Sequence, residues 1–335
     1  MGDADRDHML AAVEAASGSR RSTSPNPWVG AVVVVDGVVV GTGASSPPGG
    51  PHAEAHALAE AGEAARGATL YATLEPCDHT GRTGPCTEAI LEAGVARVVI
   101  GVEDPDPNVR GRGTARLREA GVEVEVGVAA TEVAEQLAPY LHHRATGRPY
   151  VVVKLAVTLD GRLAAPDGTS TWITGPEARS DVHRLRAESD AVCVGAGTVR
   201  ADDPALTVRD WAPDDGGPVA DPRRIILGAV PDGARVAPAE SYEGPLEGLL
   251  DRLGDEGVLQ LLVEGGADVA GRFHRAGLVD RYVVYVAPAL LGGDDGRPVL
   301  AGAGAPTMAD LSRGRFASVR ALGDDLRLDL VLDPD

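Results

Sequence analysis

Three side chains that have to meet at one point constrain this chain more than its size does. His52 stands in Pro51-His52-Ala53-Glu54, Cys77 follows Pro76, and Cys86 comes after a gap of eight residues. One imidazole and two thiolates are preferred zinc ligands, and three protein ligands leave a fourth position for water. Zinc lowers the pKa of such a water from 15.7 to about 7, so the set predicts a hydrolytic centre with one Zn2+ per chain. Glu54, two residues past His52, can shuttle protons without taking a coordination position. His52 lies at the entrance of one helical segment, with Cys77 and Cys86 at or near the entrances of the next. A closed structural site, with His56 or His79 as fourth ligand, is the competing reading. It gives no purpose to the His-x-Glu arrangement.

At 335 residues the chain has room for two domains with separate cores. Hydrophobic residues are 44% and charged residues 24%, a globular balance, while 3% aromatics leave the cores to Val, Leu and Ala. A formal charge of −19 argues against nucleic acid as partner, because phosphate backbones are held by clustered Lys and Arg. It leaves a small phosphorylated substrate open, since local arginines dominate within a screening length of about 8 Å. The charged N-terminus does not read as a signal peptide, and no run reaches the roughly 18 apolar residues of a membrane span. Three cysteines do not make a disulfide framework. A cytoplasmic protein with no membrane partner is expected.

Strand and helix signals alternate. Val32 to Val35 and Val38 to Val40 read as strands joined at Asp36-Gly37, a hairpin turn. Helical spacing over 8–17, 53–65, 87–93 and 114–120 is interleaved with strand runs over 68–74, 95–102 and 122–128. The pattern predicts a mainly parallel α/β sheet covered on both faces. The polar stretch from His142 to Pro149 predicts a boundary. A second α/β unit follows, with strands at 150–157, 191–194, 224–228, 258–263 and 281–287, helices at 177–188, 246–254 and 267–276, and a closing hairpin over 317–332.

The stretch Leu74-Glu75-Pro76-Cys77-Asp78-His79-Thr80-Gly81-Arg82-Thr83-Gly84-Pro85-Cys86 resembles the zinc loop of the bifunctional riboflavin-biosynthesis deaminase/reductase family. Zinc-dependent base deaminases carry H-x-E…P-C-x-x-C, and the wider cysteine gap separates this family from cytidine and tRNA-adenosine deaminases. Pro25-Asn26-Pro27-Trp28-Val29-Gly30 is similar to its substrate loop, and Asp104-Pro105-Asp106-Pro107 to a second one. The resemblance implies a cytidine-deaminase-like three-layer domain over 1–146. His52, Cys77 and Cys86 would hold zinc, Glu54 would move protons, and Asn26, Arg82 and Asp104 would contact the pyrimidine or its ribose phosphate. Ser45 stands where the family often has His, and Gly84 where it often has Pro.

Lys154-Leu155-Ala156-Val157-Thr158-Leu159-Asp160-Gly161, Ser170-Thr171-Trp172-Ile173-Thr174-Gly175 and Val263-Glu264-Gly265-Gly266 are similar to the same family's reductase domain. That implies a dihydrofolate-reductase-like fold over 147–335. NADPH would be lined by Ala156, Trp172, Thr198, Asp202 and the run Gly266, Ala267, Asp268, Val269, Ala270, Gly271 and Arg272. Ser170, Arg186, Leu206, Arg209 and Glu264 would hold the ribose phosphate, with Lys154 and Asp202 as catalytic residues close to the reacting carbon. Physically, a Gly-Gly between an apolar strand and a helix suits a phosphate resting on backbone N–H groups, and equally a tight turn. Read without the resemblance, Arg186 and Arg209 are ordinary surface ion pairs, and Cys193 is a core thiol. The stretch from Ile226 to Leu246 is short for the family, as if one strand were missing.

The function so implied is hydrolytic deamination of 2,5-diamino-6-(5-phosphoribosylamino)pyrimidin-4(3H)-one to 5-amino-6-(5-phosphoribosylamino)uracil, then NADPH-dependent reduction of the ribosyl group to ribityl. The partner is a small phosphorylated pyrimidine, and a homo-oligomer, dimer or tetramer, is expected. A deaminase for a related pyrimidine or pterin, or a zinc-stabilised binding protein without turnover, stays as the alternative.

Overall fold

A computed structural model describes residues 3–79, 84–107 and 109–333. The chain divides into two compact units, 1–148 and 149–335. The first contains α1 (Asp3–Ala15), α2 (Arg20–Thr23), β1 (Gly30–Val35), β2 (Val38–Ala44), α3 (Ala53–Ala61), β3 (Thr69–Leu74), α4 (Cys86–Ala93), β4 (Arg97–Val102), α5 (Arg112–Glu119), β5 (Glu123–Val126), α6 (Ala130–Gln136) and α7 (Ala138–Thr146). Its sheet runs β2-β1-β3-β4-β5. The hairpin strand β1 is antiparallel to both neighbours, and β3, β4 and β5 are parallel. Asp36 and Gly37 turn the hairpin with φ of 49° and 79°, the left-handed pair that a two-residue turn of this kind needs.

Helices α1 and α6 pack together on the sheet, while α3, α4 and α5 form a second group. This is the three-layer arrangement expected from the alternation. The fit of α3 depends on missing side chains. A Cβ on Gly41 would lie 2.2 Å from the carbonyl oxygen of Ala57, and one on Gly43 would lie 2.1 Å from that of Ala53. Bare backbone on β2 therefore lets α3 settle onto the sheet, which fixes where His52, its N-cap, and Glu54 stand.

The polar stretch 142–149 is not an interruption up to its end. Helix α7 runs through Thr146 and stops at Gly147, which takes the left-handed conformation at φ 75°. Tyr140 is buried on its inner side, which polar neighbours in sequence conceal.

The second unit contains β6 (Tyr150–Thr158), β7 (Arg162–Ala164), α8 (Pro176–Ala187), β8 (Ala191–Gly195), α9 (Ala196–Asp202), β9 (Arg223–Leu227), β10 (Glu240–Tyr242), α10 (Leu246–Asp255), β11 (Gln260–Val263), α11 (Ala267–Arg275), β12 (Arg281–Ala287), β13 (Arg297–Pro298), β14 (Gly314–Leu322) and β15 (Asp325–Leu332). Eight strands order as β10-β9-β8-β11-β6-β12-β15-β14. The first six are parallel, and the closing hairpin adds two antiparallel strands at one edge. Parallel strands buried on both faces explain the unbroken apolar runs at β8 and β11. The stretch expected to lack a strand contains β10, three residues long and paired with β9 at the sheet edge. Cys193 is fully buried in this core, and burial pushes its thiol up to about 12, where it is inert. Among the described residues no helix is long and apolar enough to cross a membrane.

Candidate functional site

In the first unit, His52, Cys77 and Cys86 converge. His52 Nδ1 lies 3.2 Å from Cys86 Sγ and 3.6 Å from Cys77 Sγ, and the two sulfurs are 3.5 Å apart. Two sulfurs each about 2.3 Å from a tetrahedral zinc would be about 3.8 Å apart, so the three atoms already have the spacing of one face of such a site. Three elements deliver them: the N-terminus of α3, the loop leaving β3, and the first residue of α4. Gly113 helps to seat the Cys77 loop, because a Cβ there would meet the Pro76 carbonyl oxygen at 1.9 Å. Glu75 fixes the same loop from the other side, accepting hydrogen bonds from the N–H groups of Gly111 at 2.9 Å and Thr114 at 3.0 Å.

Cys77 is held to about 4 chiefly by its hydrogen bond with Cys86, whose own thiol that contact pushes above its ordinary range. A divalent ion held by this set would favour thiolate on both sulfurs. Glu54 is 3% exposed, and burial raises its carboxyl above the usual carboxylate value. His56 is turned outward, with Nε2 2.8 Å from Ser46 Oγ, and it does not belong to the metal-ligating cluster. Among the described residues the cluster has three protein ligands, which leaves the position a hydrolytic centre requires.

His52, Glu54 and Cys77 open onto a cavity of about 470 Å³ that Asn26, Ser45, His79, Asp104, Tyr140 and Arg144 also line. Asp104 is buried; it accepts the Tyr140 hydroxyl at 3.0 Å and the Asp106 N–H at 2.9 Å. Ser45 accepts the Val29 N–H at 3.0 Å, so its hydroxyl braces the Asn26 loop. Arg82 lies outside the described residues. Tyr140 and Arg144 escape sequence reading. Their only signal there is an i,i+4 aromatic–basic pair, whose guanidinium carbon sits 5.1 Å from the ring centre.

In the second unit, Lys154, Arg186 and Glu264 form one cluster. Arg186 clasps Glu264 through Nε at 2.5 Å and Nη2 at 2.9 Å, and its Nη1 donates to the Thr207 carbonyl at 3.0 Å. Lys154 Nζ is 3.9 Å from Glu264 Oε2. Arg186 is thus buried in a bidentate pair and is not on the surface. Burial lowers the Lys154 pKa below the ordinary lysine value, with Glu264 opposing. Leu206 is buried at a left-handed φ of 53°. Arg209 is exposed, paired loosely with Asp210 at 3.7 Å, and lines a cavity of about 520 Å³ with Trp172 and His183. Ser170 is half-buried in the loop that leads to Trp172.

The carboxyl ends of the neighbouring strands β8 and β11 lead into α9 and α11. Gly266 caps α11, and a Cβ on it would come 3.8 Å from Thr198 Oγ1, so Thr198 and the bare backbone of Gly266 lie side by side. The first N–H groups of a helix point out of its end, so this corner fits a phosphate of a dinucleotide cofactor. Of the run from Gly266 to Arg272, Val269, Ala270 and Gly271 are buried; Gly266, Asp268 and Arg272 are exposed, and Ala267 is intermediate. Ala156 lies on β6 opposite Tyr285. Asp202 is exposed as the last residue of α9, and the carboxylate paired with Lys154 is that of Glu264.

Comparison with known proteins agrees with both halves. Residues 149–328 match the family described as the RibD C-terminal domain. Residues 3–102 match the cytidine and deoxycytidylate deaminase zinc-binding region. The riboflavin biosynthesis protein RibD of Escherichia coli strain K12 is 40% identical over 365 residues, covering 98% of this chain and 99% of that one. Its counterpart in Mycobacterium tuberculosis strain H37Rv is 44% identical over 336 residues, with 96% and 95% covered. A solved structure of Acinetobacter baumannii RibD matches with a TM-score of 0.89 at 39% identity, covering 99% of each chain. A Thermotoga maritima structure described as a diaminohydroxyphosphoribosylaminopyrimidine deaminase/5-amino-6-(5-phosphoribosylamino)uracil reductase matches at 0.85 and 32% identity, covering 98% and 99%. With a zinc-ligand cluster in its first half and a reductase domain in its second, the chain belongs to the RibD family of riboflavin-biosynthesis deaminase/reductases.

Proposed function

We propose that the chain carries out two consecutive steps: deamination of 2,5-diamino-6-(5-phosphoribosylamino)pyrimidin-4(3H)-one, then reduction of the ribosyl group of the product to ribityl with NADPH. One observation carries the reading. His52, Cys77 and Cys86 meet beside the buried Glu54, and His52, Cys77 and Glu54 line a cavity together with Asn26 and Asp104.

His52, Cys77 and Cys86 would hold zinc, which would lower the pKa of the attacking water toward neutrality. Glu54 carries one proton of the attacking water to the ring nitrogen and then the second to the departing amine, so that the oxygen of water stays on the ring and ammonia leaves. Asn26 orients the pyrimidine, Asp104 takes hydrogen bonds from the ribose, and Arg82 answers the phosphate charge. Tyr140 keeps the Asp104 carboxylate in place.

NADPH, when bound, would supply the hydride for reduction of the sugar. Backbone N–H groups from Gly266 onward and the Thr198 hydroxyl would hold its phosphate, and Ala156 and Trp172 would line the rest. Lys154, whose proton burial loosens, serves the sugar oxygen, and Asp202 approaches when substrate is bound. Glu264 engages much of Arg186, so the substrate phosphate rests chiefly on Arg209 and Ser170. Glu264 and Leu206 shape that pocket. The chain works in the cytoplasm as a dimer or tetramer, a reading supported by exposed Phe316, Val319 and Leu326 on the closing hairpin.

The test offers the diaminopyrimidinone ribosyl phosphate with NADPH and identifies products by mass. Ammonia and a ribityl product are expected. No ribityl product under reducing conditions overturns the bifunctional reading, and turnover of a pterin instead moves the chain to another pathway. Glu54→Gln should keep its zinc and lose almost all ammonia release.

A further inference from the structure

Trp172 is 72% exposed, although it is the largest apolar side chain of its loop. A large aromatic side chain in water needs something to hold it there. Two contacts on adjacent residues do so. Arg179, one turn into α8, donates from Nη1 to the Thr174 carbonyl at 2.7 Å, and its guanidinium carbon stands 4.4 Å from the centre of the Trp172 ring. The next residue, Gly175, donates its N–H to Asp325 Oδ2 at 2.7 Å. Asp325 begins β15, 150 positions later in the chain, and is 3% exposed. The loop is thus gripped from the helix that follows it and from the closing hairpin.

The two grips act differently. Asp325 is a buried carboxylate holding a backbone N–H, a contact that fixes chain position. Arg179 is partly exposed and stacks on the indole, a contact that fixes ring orientation. The ring keeps most of its surface free toward a cavity of about 520 Å³ that Arg179, Ser180, His183 and Arg209 also line.

We infer that Arg179 and Asp325 are positioning residues for Trp172, holding its indole ready for NADPH at the edge of the reductase cavity. The inference rests on the reading that places Trp172 in the NADPH site. Arg179 needs no contact with the cofactor, and Asp325 has none to offer from its buried place. Ordering the loop before NADPH arrives removes part of the entropy cost of binding.

The experiment uses the full-length zinc-loaded enzyme and follows NADPH affinity by cofactor fluorescence, together with steady-state reduction. Arg179→Met should weaken NADPH binding and raise its KM about fivefold to tenfold, with kcat within about twofold of the parent. Arg179→Lys keeps a cation over the ring and should recover much of the loss. Asp325→Asn keeps an oxygen acceptor for the Gly175 N–H and should behave like the parent, whereas Asp325→Ala should reproduce Arg179→Met. Ammonia release reports that each variant is folded in its other half, and thermal unfolding does so for the reductase unit. Trp172→Ala separates the two claims. If it leaves the NADPH KM unchanged, Trp172 is not in the cofactor site and the underlying reading fails. If it raises the KM while Arg179→Met does not, the reading stands and the positioning role is wrong.

Discussion

Arg186 and Glu264 are joined by two parallel hydrogen bonds at 2.5 and 2.9 Å in the interior of the second unit. Arg186 holds the Glu264 carboxyl well below the usual range despite burial that pushes it up. Removing one partner leaves a buried charge alone, which typically costs about 3–5 kcal/mol. Glu264→Ala should therefore lower the free energy of unfolding of the reductase unit, measured in urea, by that amount, and Arg186→Met/Glu264→Leu should recover most of it. Equal losses in single and double variants would show that the pair is not the source.

Tyr140 ties α7 to Asp104 in the zinc cavity. A hydrogen bond to a buried carboxylate is worth about 1.5–3 kcal/mol, so Tyr140→Phe should lower kcat/KM for ammonia release about tenfold or more. Reduction of substrate that is already deaminated should not change. An equal fall in both activities would mean that the variant is simply less folded.

Zinc removal should silence the first step alone. Dialysis against a strong chelator is expected to abolish ammonia release while leaving reduction of the aminouracil intact, and added zinc should restore one metal per chain. Cys77 lines the cavity and Cys86 does not, so an alkylating reagent should reach Cys77 first in the metal-free protein. Peptide mapping that found Cys86 alkylated first would contradict the arrangement.

Asp5 accepts hydrogen bonds from Arg97 and from the Tyr71 hydroxyl, which hold its carboxyl down from 3.8 to about 2. A lowered folded value means that the unfolded chain binds more protons in that interval. The stability from this contact is therefore present above about pH 4 and lost as pH falls toward 2. Urea midpoints recorded across that range should fall less steeply for Asp5→Asn than for the parent. Identical slopes would remove Asp5 from the acid response.

Much of this was legible in the residues, for physical reasons. Val-rich strands, Asp36-Gly37 and the stop at Gly94 are local signals, and the backbone follows them. The metal cluster was legible because its chemistry admits few residue types. What escaped depends on distance in sequence. Tyr140 gains its role only from Asp104, 36 positions away, and Asp181 gains its partner Arg327 146 positions on. The short β10 and the seven-residue α9, which carries a glycine in its first turn, have too little length for periodicity to reveal them. Without the family resemblance, which sets Arg186 and Glu264 in one phosphate site, Arg186 reads as a surface ion pair, because nothing in its neighbours announces Glu264 78 positions on.

Gly43 gives no atom to the metal, yet its missing side chain sets how deep α3 lies. A methyl group there would act as a shim 2.1 Å from the Ala53 carbonyl oxygen, lifting the end of the helix that bears His52 and Glu54 together. Imidazole and carboxylate would move as one body, so affinity for the ion and speed of proton transfer should decline in step. Two properties usually tuned separately are here coupled to a single hydrogen atom on the reverse of the helix.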